Sequence, residues 1–300
     1  MKTVKLKVNE FNNDEIEEIS KRFNLLKTSS KVLLNRNIKS FEEIEQFLDP
    51  DFKYFESAEN YKDLHKGCQR IIDAVSNNER ILVYGDYDVD GVTSISQFVV
   101  LLKRAGASID YYVPERENEG YGISSEFVNS IRSGEIDVDL LITVDCGISE
   151  IEKIEEITKL NKEVIILDHH QCRDELPKAY AIINPKQKDC PSENKHLCAA
   201  GLSFKFLLYL NKFLKINDIE DILLEYACLG TIADIVDLVK DNRIIAVHGL
   251  KKMNNTKIIG LKKLIEVSGI QDKLIKSYHI GYILAPRINA ACRMSSASGA

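Results

Sequence analysis

The sequence predicts an α/β protein with a doubly wound, mainly parallel sheet flanked by helices. From residue 81 onward, short β-branched runs alternate with helical segments, and this alternation is typical of parallel sheets. The segments 10–80 and 199–267, on either side of that region, have the apolar spacing of helices. We therefore expect a helical lead-in over residues 1–65 that packs on the core, and a main domain over residues 66–300 with a helical C-terminal part.

The helical lead-in is predicted from two amphipathic segments, Asn13–Ile19 and Ser40–Leu48, in which apolar residues recur behind polar caps. Pro50 should end the second helix, because proline lacks the backbone N–H that a helix interior requires. Phe204–Phe213 and Ile219–Val239 have the same helical spacing in the C-terminal part. Both ends of the chain are therefore predicted to be helical.

The sheet is predicted from short apolar runs bounded by polar or turn residues. These runs are Ile81–Tyr84, Ile109–Val113, Leu140–Val144 and Val164–Leu167. Helices are predicted between them near residues 92–105, 124–132 and 149–161. Strands separated by helices form crossover units, which make neighbouring strands parallel.

Composition excludes several classes of protein. The chain has 300 residues, of which 44% are hydrophobic, and this is enough for a substantial core. A net charge of -6 argues against a protein that coats nucleic acid through bulk charge, although acids clustered around metal ions are compatible with a nucleic-acid enzyme. Seven cysteines without a C-x-x-C pair indicate reduced thiols. Neither a leader nor a long apolar run is recognisable, so we expect a cytoplasmic protein.

Acidic residues follow three of the predicted strands. Asp86, Asp88 and Asp90 follow the first, Asp145 follows another, and Asp168-His169-His170 follows a third. The carboxyl ends of parallel strands share one edge, where ligands bind. Each acid alone could cap a helix or shape a turn. Together with a His-His pair they favour a composite metal site, because clustered carboxylates repel one another unless a cation holds them.

The type of ligand indicates the metal and the reaction. Oxygen-rich coordination with one or two imidazoles suits Mn²⁺ or Mg²⁺, and the acids suffice for two ions that would hydrolyse a phosphate ester. The acidic turn also resembles the start of an EF-hand calcium loop. That loop needs a Glu at its twelfth position, which is Gln97 here. Motifs of P-loop proteins, dinucleotide-binding proteins and serine hydrolases are not found.

Several blocks of the sequence resemble a known family. Asp168-His169-His170 is similar to the signature of the DHH phosphoesterase superfamily, and Tyr84-Gly-Asp-Tyr-Asp-Val-Asp-Gly91 resembles its first motif in the RecJ single-stranded-DNA exonucleases. Further RecJ-like blocks lie, in order, at 119–122, 144–147, 229–234 and 286–293. Residues 35–38 resemble the lead-in that precedes the first motif. Six ordered blocks over residues 30–295 are far more specific than the tripeptide alone.

The resemblance implies roles for individual residues. The metal ligands it implies are Asp88, Asp90, Asp145, His169 and Asp234, with Asp145 bridging two ions. It implies three catalytic residues. His170 would contact the scissile phosphate, Asp168 would orient an imidazole, and Asp86 would be a supporting acid. Some relatives have a His at the position of Tyr84, so one ion is expected to have a more open coordination shell here.

The substrate-binding residues are predicted from basic, amide and aromatic side chains in the similar blocks. They are Arg116, Tyr121, Arg287, Asn289 and Arg293. Guanidinium groups and an amide can hold phosphate, and a tyrosine can stack on a base. The alternative is that the arginines belong to an ordinary surface loop and that Tyr121 is a packed turn residue. Cys292 stands where the RecJ pattern has glycine, so the predicted 287–293 loop either avoids positive φ or is strained.

Taken together, the resemblance implies the catalytic lobe of a 5'-to-3' single-stranded-DNA exonuclease in repair or recombination. Two alternatives stay open, a DHH phosphodiesterase for short oligoribonucleotides or cyclic dinucleotides, and a noncatalytic replication scaffold. The partners implied are single-stranded DNA and replication or repair proteins such as a helicase or a single-strand-binding protein, with no membrane. RecJ-like proteins continue into DHH-associated and oligonucleotide-binding domains, which we expect this chain to lack.

Overall fold

A computed structural model describes residues 11–115 and 120–294 of the chain. The chain forms two compact units, Met1–Phe55 and Glu56–Ala300. The predicted domain boundary between residues 65 and 66 stays a prediction. No helix within the two described ranges is both long enough and apolar enough to cross a membrane.

The first unit is helical, and the first and third of its described helices begin at polar caps. The described helices are Asn13–Arg22, Lys27–Asn35 and Phe41–Leu48. The side chain of Asn12 accepts a hydrogen bond from the backbone N–H of Asp14 at 2.9 Å. Ser40 and Glu43 form a reciprocal capping box, in which each side chain accepts from the other's backbone N–H at 3.1 Å. Such caps satisfy N–H groups that have no partner within a helix.

The second unit contains a five-stranded sheet in which all neighbouring strands are parallel, as the sequence predicts. The strands are β1 Ile81–Gly85, β2 Ile109–Tyr112, β3 Leu140–Val144, β4 Glu163–Leu167 and β5 Ala181–Ile183. Their order is β2-β1-β3-β4-β5. The chain winds in opposite directions from β1 and from β3, so a switch point lies between the carboxyl ends of these strands, where α/β proteins bind ligands.

Helices cover both faces of the sheet. On one face, Leu82 and Tyr84 belong to a buried apolar cluster that includes Phe127 of the helix Ser125–Ser133 and Ile154 of the helix Ile151–Lys159. On the other face, the helix Val89–Arg104 contacts β1, and the helix Ala199–Leu214 contacts β4. Alternate residues of a strand point to opposite faces, and burial on both faces explains why the strands are continuous apolar runs.

The remaining helices of the second unit lie before and after the sheet. They are Leu64–Ser76, Glu220–Ala233, Lys240–Met253, Ile259–Val267, the single turn Ser277–His279, the π-helix Ile280–Leu284 and Ala285–Met294. Short 3-10 turns occupy Phe52–Tyr54 and Ala58–Asn60. The predicted helical character of the C-terminal part is confirmed.

Three details differ from the sequence prediction. β5 was not predicted, because a run of three apolar residues carries little periodicity. The helix after β1 begins at Val89 rather than near residue 92, since Asp88 caps it. The helix predicted over Ile219–Val239 ends at Ala233, because the chain turns at Ile235, whose φ is +60°.

The segment from Arg287 to Arg293 is helical, so its interpretation as a loop was wrong. It belongs to the helix Ala285–Met294, which continues directly from the π-helix Ile280–Leu284. Cys292 is buried, and its φ is not positive. A cysteine at this position therefore requires no backbone strain in this chain.

Candidate metal centre

The acidic turn after β1 is shaped by Asp88 and Gly91. The side chain of Asp88 accepts hydrogen bonds from the N–H of Asp90 at 2.8 Å and of Gly91 at 3.1 Å, and so caps the helix Val89–Arg104. A Cβ atom at position 91 would overlap the backbone of Asp86. Only glycine therefore allows the helix to begin this close to the end of the strand.

Asp90 is buried and joins the turn to a distant helix. Its carboxylate accepts hydrogen bonds from Ala199 N at 2.7 Å and from Ala200 N at 2.8 Å, at the first turn of the helix Ala199–Leu214. Burial raises the pKa of Asp90 to about 6, despite these two donors and His169. A buried acid that is hard to ionise favours a nearby positive charge.

Asp145 follows β3 in a left-handed conformation, with a φ of +61°. Its side chain is buried, and among the described residues its Oδ1 atom accepts no hydrogen bond, although His169 Nε2 lies 3.1 Å away. Burial, followed by repulsion from Asp90 and Asp88, raises the pKa of Asp145 well above its usual value. Such a carboxylate oxygen is suited to bind a cation, because a cation would compensate for the burial of its charge.

Asp168 follows β4 and orients the two histidines. Its Oδ1 accepts from His169 N at 2.7 Å, from His170 N at 3.0 Å and from His170 Nδ1 at 2.8 Å, while its Oδ2 accepts from Ile148 N at 3.0 Å. Burial opposes its ionisation, but the hydrogen bonds outweigh burial, and the pKa of Asp168 lies below its usual value. Asp168 is therefore an ionised acid that fixes the backbone and one imidazole.

The two histidines have opposite electrostatic environments. Burial lowers the pKa of His169, whose Nε2 lies 3.6 Å from Asp90 Oδ2 and 4.0 Å from Asp234 Oδ2. The hydrogen bond with Asp168 raises the pKa of His170, which is more exposed. The neutral imidazole of His169 suits a metal ligand, and the more basic His170 suits an anion.

Asp234 lies at the C-terminal cap of the helix Glu220–Ala233. Its pKa is raised to about 6 by burial and by repulsion from Asp88. Its carboxylate is brought to His169 although the two residues are far apart in sequence.

Three groups of side chains could hold a metal ion, and they overlap. Within each group, one ligand atom per residue lies within 4.8 Å of the others. The groups are Asp86, Asp88 and Asp145; Asp145, His169 and His170; and Asp90, His169 and Asp234. Because Asp145 and His169 each belong to two groups, the geometry fits adjacent cations that share ligands. Hard carboxylate oxygens with one or two imidazoles suit Mn²⁺ or Mg²⁺.

The structure brings together the predicted ligands and supporting acids, but it distributes the predicted substrate-binding residues differently. The Tyr121 hydroxyl lies 3.4 Å from Asp145 O and 3.3 Å from His170 Nε2, so it is at the centre.

Asn289 Oδ1 accepts a hydrogen bond from Val89 N at 3.2 Å and thus holds the acidic turn. Arg287 donates to Ile283 O at 2.7 Å and lines a cavity of about 460 Å³ beside Val92. Arg116 and the side chain of Arg293 lie outside the described residues.

Two structural roles at the centre were not predicted from the sequence, one of two backbone N–H groups and one of a tyrosine. The N–H groups of Ala199 and Ala200 hold Asp90, and no side-chain pattern could reveal them, because every residue except proline has this donor. Tyr84 lies in the apolar cluster, stacks on Tyr112 and donates from its hydroxyl to Gly122 O at 2.7 Å. It therefore anchors the loop that carries Tyr121.

Comparisons with known proteins place these observations in a family context. Residues 80–231 match the model of the DHH family, N-terminal domain. The chain is 36% identical over 287 residues to the single-stranded-DNA-specific exonuclease RecJ of Bacillus subtilis, covering 96% of the chain and 36% of that protein. It is 34% identical to RecJ of Escherichia coli, covering 89% of the chain and 48% of that protein. The chain spans less than half the length of these relatives.

Solved structures agree in fold. A crystal structure of exonuclease RecJ bound to manganese matches with a TM-score of 0.71 and 32% identity, covering 79% of this chain and 59% of that one. RecJ of Thermus thermophilus in complex with Mn²⁺ matches with a TM-score of 0.79 and 25% identity, covering 97% of this chain and 41% of that one. The match to the DHH family model, over residues 80–231, includes all five strands and the acids that follow β1, β3 and β4.

Proposed function

This chain belongs to the DHH family, and from that membership we propose that it is a metal-dependent phosphodiesterase, the RecJ-like catalytic lobe of a 5'-to-3' single-stranded-DNA exonuclease. The observation that carries the proposal is the overlap of the three ligand groups at Asp145 and His169. A phosphodiester brings negative charge, and a centre of buried acids can accept it only when cations neutralise the acids. RecJ relatives that are named as acting on single-stranded DNA support the choice of substrate.

Two Mn²⁺ or Mg²⁺ ions are the proposed cofactor. Asp88, Asp90, Asp145, His169 and Asp234 would hold them, and the unsatisfied Asp145 Oδ1 fits a shared ligand. Bound ions of this kind lower the pKa of water and stabilise the negative charge of a phosphate ester under attack. Asp86, which lies in the group with Asp88 and Asp145, supports the same site.

The protein's own residues bind and orient the substrate. Asp168 keeps His170 in one orientation and raises its pKa, so the imidazole carries a proton at neutral pH more readily than a free histidine does. A protonated His170 would donate a hydrogen bond to a phosphate oxygen. Tyr121 lies beside it and would limit the access of water or stack on a base. Asn289 keeps the acidic turn in place, and we propose phosphate contacts for Arg287, Arg116 and Arg293.

We further propose that the chain acts in the cytoplasm during DNA repair or recombination. Its proposed partners are single-stranded DNA and a replication or repair protein, such as a helicase or a single-strand-binding protein. We keep the division into a lead-in over 1–65 and a DHH domain over 66–300 as part of this proposal.

The experiment compares two acids at opposite ends of β3. Asp145→Asn should lower Mn²⁺ affinity at least about a hundredfold and abolish cleavage, since metal sites lose about 10- to 100-fold even when only a supporting partner is removed. Asp139→Asn is the matched control, because Asp139 precedes Leu140 and pairs with Arg80 at 2.7 Å, away from the centre. It should keep metal affinity and cleavage. Titration calorimetry measures Mn²⁺ binding, and strands labelled at either end measure cleavage and its direction.

The outcomes separate the competing functions. Cleavage by Asp145→Asn at the wild-type rate would refute the assigned centre. A wild type that hydrolyses dinucleotides but not long strands would favour the alternative of a phosphodiesterase for short oligonucleotides. A wild type that binds Mn²⁺ and cleaves neither substrate would favour a noncatalytic scaffold.

A further inference from the structure

An apolar residue that follows a proposed metal ligand has an unusual backbone conformation. Ile235 directly follows Asp234, its φ is +60°, and 89% of its surface is exposed. The left-handed region costs about 1–2 kcal/mol per residue for L-amino acids and is a genuine outlier for a β-branched one. A glycine or asparagine would suit this turn better, so the turn alone does not explain an isoleucine here.

The surrounding structure holds the loop in this conformation. The buried amide of Asn242 donates to Asp237 O at 3.0 Å and to His196 O at 2.7 Å, and Val239 N donates to Asp237 O at 2.9 Å. Lys240, where the next helix begins, also has a positive φ of +47°. Unfavourable backbone conformations persist where the surroundings fix them, and they cluster at functional sites.

The position of Ile235 limits what it can contact. The carboxylate of Asp234 lies 4.0 Å from His169 Nε2, and adjacent Cα atoms are about 3.8 Å apart. Ile235 therefore directly follows a residue proposed to hold a metal ion, beside which the scissile phosphate would bind. The acids there offer charge and hydrogen bonds, and the aromatic side chain of Tyr121 lies beside His170. A nucleotide joined to that phosphate also carries a flat, largely apolar base, which the acids do not match.

We propose that Ile235 is a substrate-positioning residue that packs against the nucleobase next to the scissile phosphodiester. This inference rests on the proposed function and adds a determinant of substrate choice to it. An aliphatic side chain contacts the face of every base in a similar way, so the contact favours nucleotides over base-free phosphodiesters without selecting a sequence. It also explains why an exposed isoleucine is useful at this position.

The test removes the side chain and the base separately. Ile235→Ala should lower kcat/KM about tenfold on an ordinary single strand, equivalent to about 1.4 kcal/mol. On a strand with an abasic residue next to the scissile bond, the same variant should lose less than about twofold, because the wild type has no base to contact. Ile259→Ala is the matched control, since Ile259 is 78% exposed but has no positive φ. It should behave as wild type on both strands.

A second variant separates loss of contact from loss of folding. Ile235→Gly relieves the backbone strain, so its Tm without metal or DNA should rise by about 2–4 °C, while its kcat/KM on the ordinary strand falls as for Ile235→Ala. A more stable variant with weaker activity cannot owe that loss to unfolding.

Each outcome decides one idea. Equal losses on the ordinary and abasic strands, or no loss on either, would overturn the base contact while leaving the proposed exonuclease intact. A lower Tm for Ile235→Gly would refute the strain on which the inference depends. A wild type that cleaves neither strand would overturn the proposed function, and the inference with it.

Discussion

Raising the pH should destabilise the metal-free protein through its buried acids, among them Asp90. Its folded-state pKa is about 6, against an ordinary value of 3.8, so the folded state holds this proton more tightly than the unfolded state does. The free energy of unfolding must then fall as pH rises from 3.8 through 6 and level off above that range. A folded-state pKa of about 6 in place of 3.8 corresponds to a total fall of about 3 kcal/mol over the whole titration.

Other groups near the centre modify this value in known directions. Asp145, whose pKa lies well above its usual value because of burial, adds a fall of the same sign. Asp234, with a pKa of about 6, adds another that is reduced by its partial exposure to solvent. Because the pKa of His170 is raised, its contribution to the free energy of unfolding is lost as the pH rises through that pKa. The lowered pKa of His169 has the opposite effect and adds stability as the pH rises. The Asp90 contribution is the largest whose size is defined, because its side chain is buried.

The fall in the free energy of unfolding is measured by urea unfolding between pH 4.5 and 7.5 in EDTA. Far-UV circular dichroism follows the unfolding. Asp90→Asn is the companion variant, because it removes the titrating group and should reduce the fall between pH 4.5 and 7.5 by roughly 2 kcal/mol, since part of the fall occurs below pH 4.5. Mn²⁺ added at pH 7.5 should restore stability to the wild type, since a ligand that binds only the folded state stabilises it. Equal stability at both ends of the range, or an unchanged fall in Asp90→Asn, would refute the assignment.

Two further predictions concern individual side chains. His169→Ala should lower both Mn²⁺ affinity and turnover, whereas His170→Ala should lower turnover with little loss of Mn²⁺ affinity in titration calorimetry; equal metal loss would reverse the two roles. Lys205→Met should lower the free energy of unfolding by about 3–5 kcal/mol, because it leaves Asp241, 2.8 Å from Lys205 Nζ and equally buried, without its charge partner. The double variant with Asp241→Leu should lose less in the same urea experiment, and a loss below about 1 kcal/mol for Lys205→Met would show that the ion pair is dispensable.

The sheet and the acids at its edge were predictable because their signals are local. Buried parallel strands are short continuous apolar runs, and Asp145 and Asp168 stand directly after two of them. Once the strands are parallel, their carboxyl ends must meet, so the position of the acids follows from topology. Asp234 lies at the end of a distant helix, and only the family resemblance indicated it.

Other features had no local signal. The N–H donors to Asp90 come from two alanines, which have no polar side chain to identify them. Pro286 and Asn289 are typical of loops. In the structure, Pro286 lies where the π-helix Ile280–Leu284 passes into the helix Ala285–Met294, and Asn289 uses its amide to hold the acidic turn. The apolar spacing over Ile219–Val239 predicted a helix that continues through Ile235, and nothing in that spacing marks the positive φ at which the chain turns.

The hydrogen bonds that close the acidic turn link residues made at very different times. Asp90 and the donor at Ala199 are 109 positions apart, and Val89 and Asn289 are 200 positions apart. Contacts this distant in sequence require the closure of long loops and so form slowly. During synthesis, the ribosome releases the acidic turn well before these partners, so an unfinished chain cannot assemble the complete centre. Capture of metal would therefore follow the synthesis of the helix that carries Asn289.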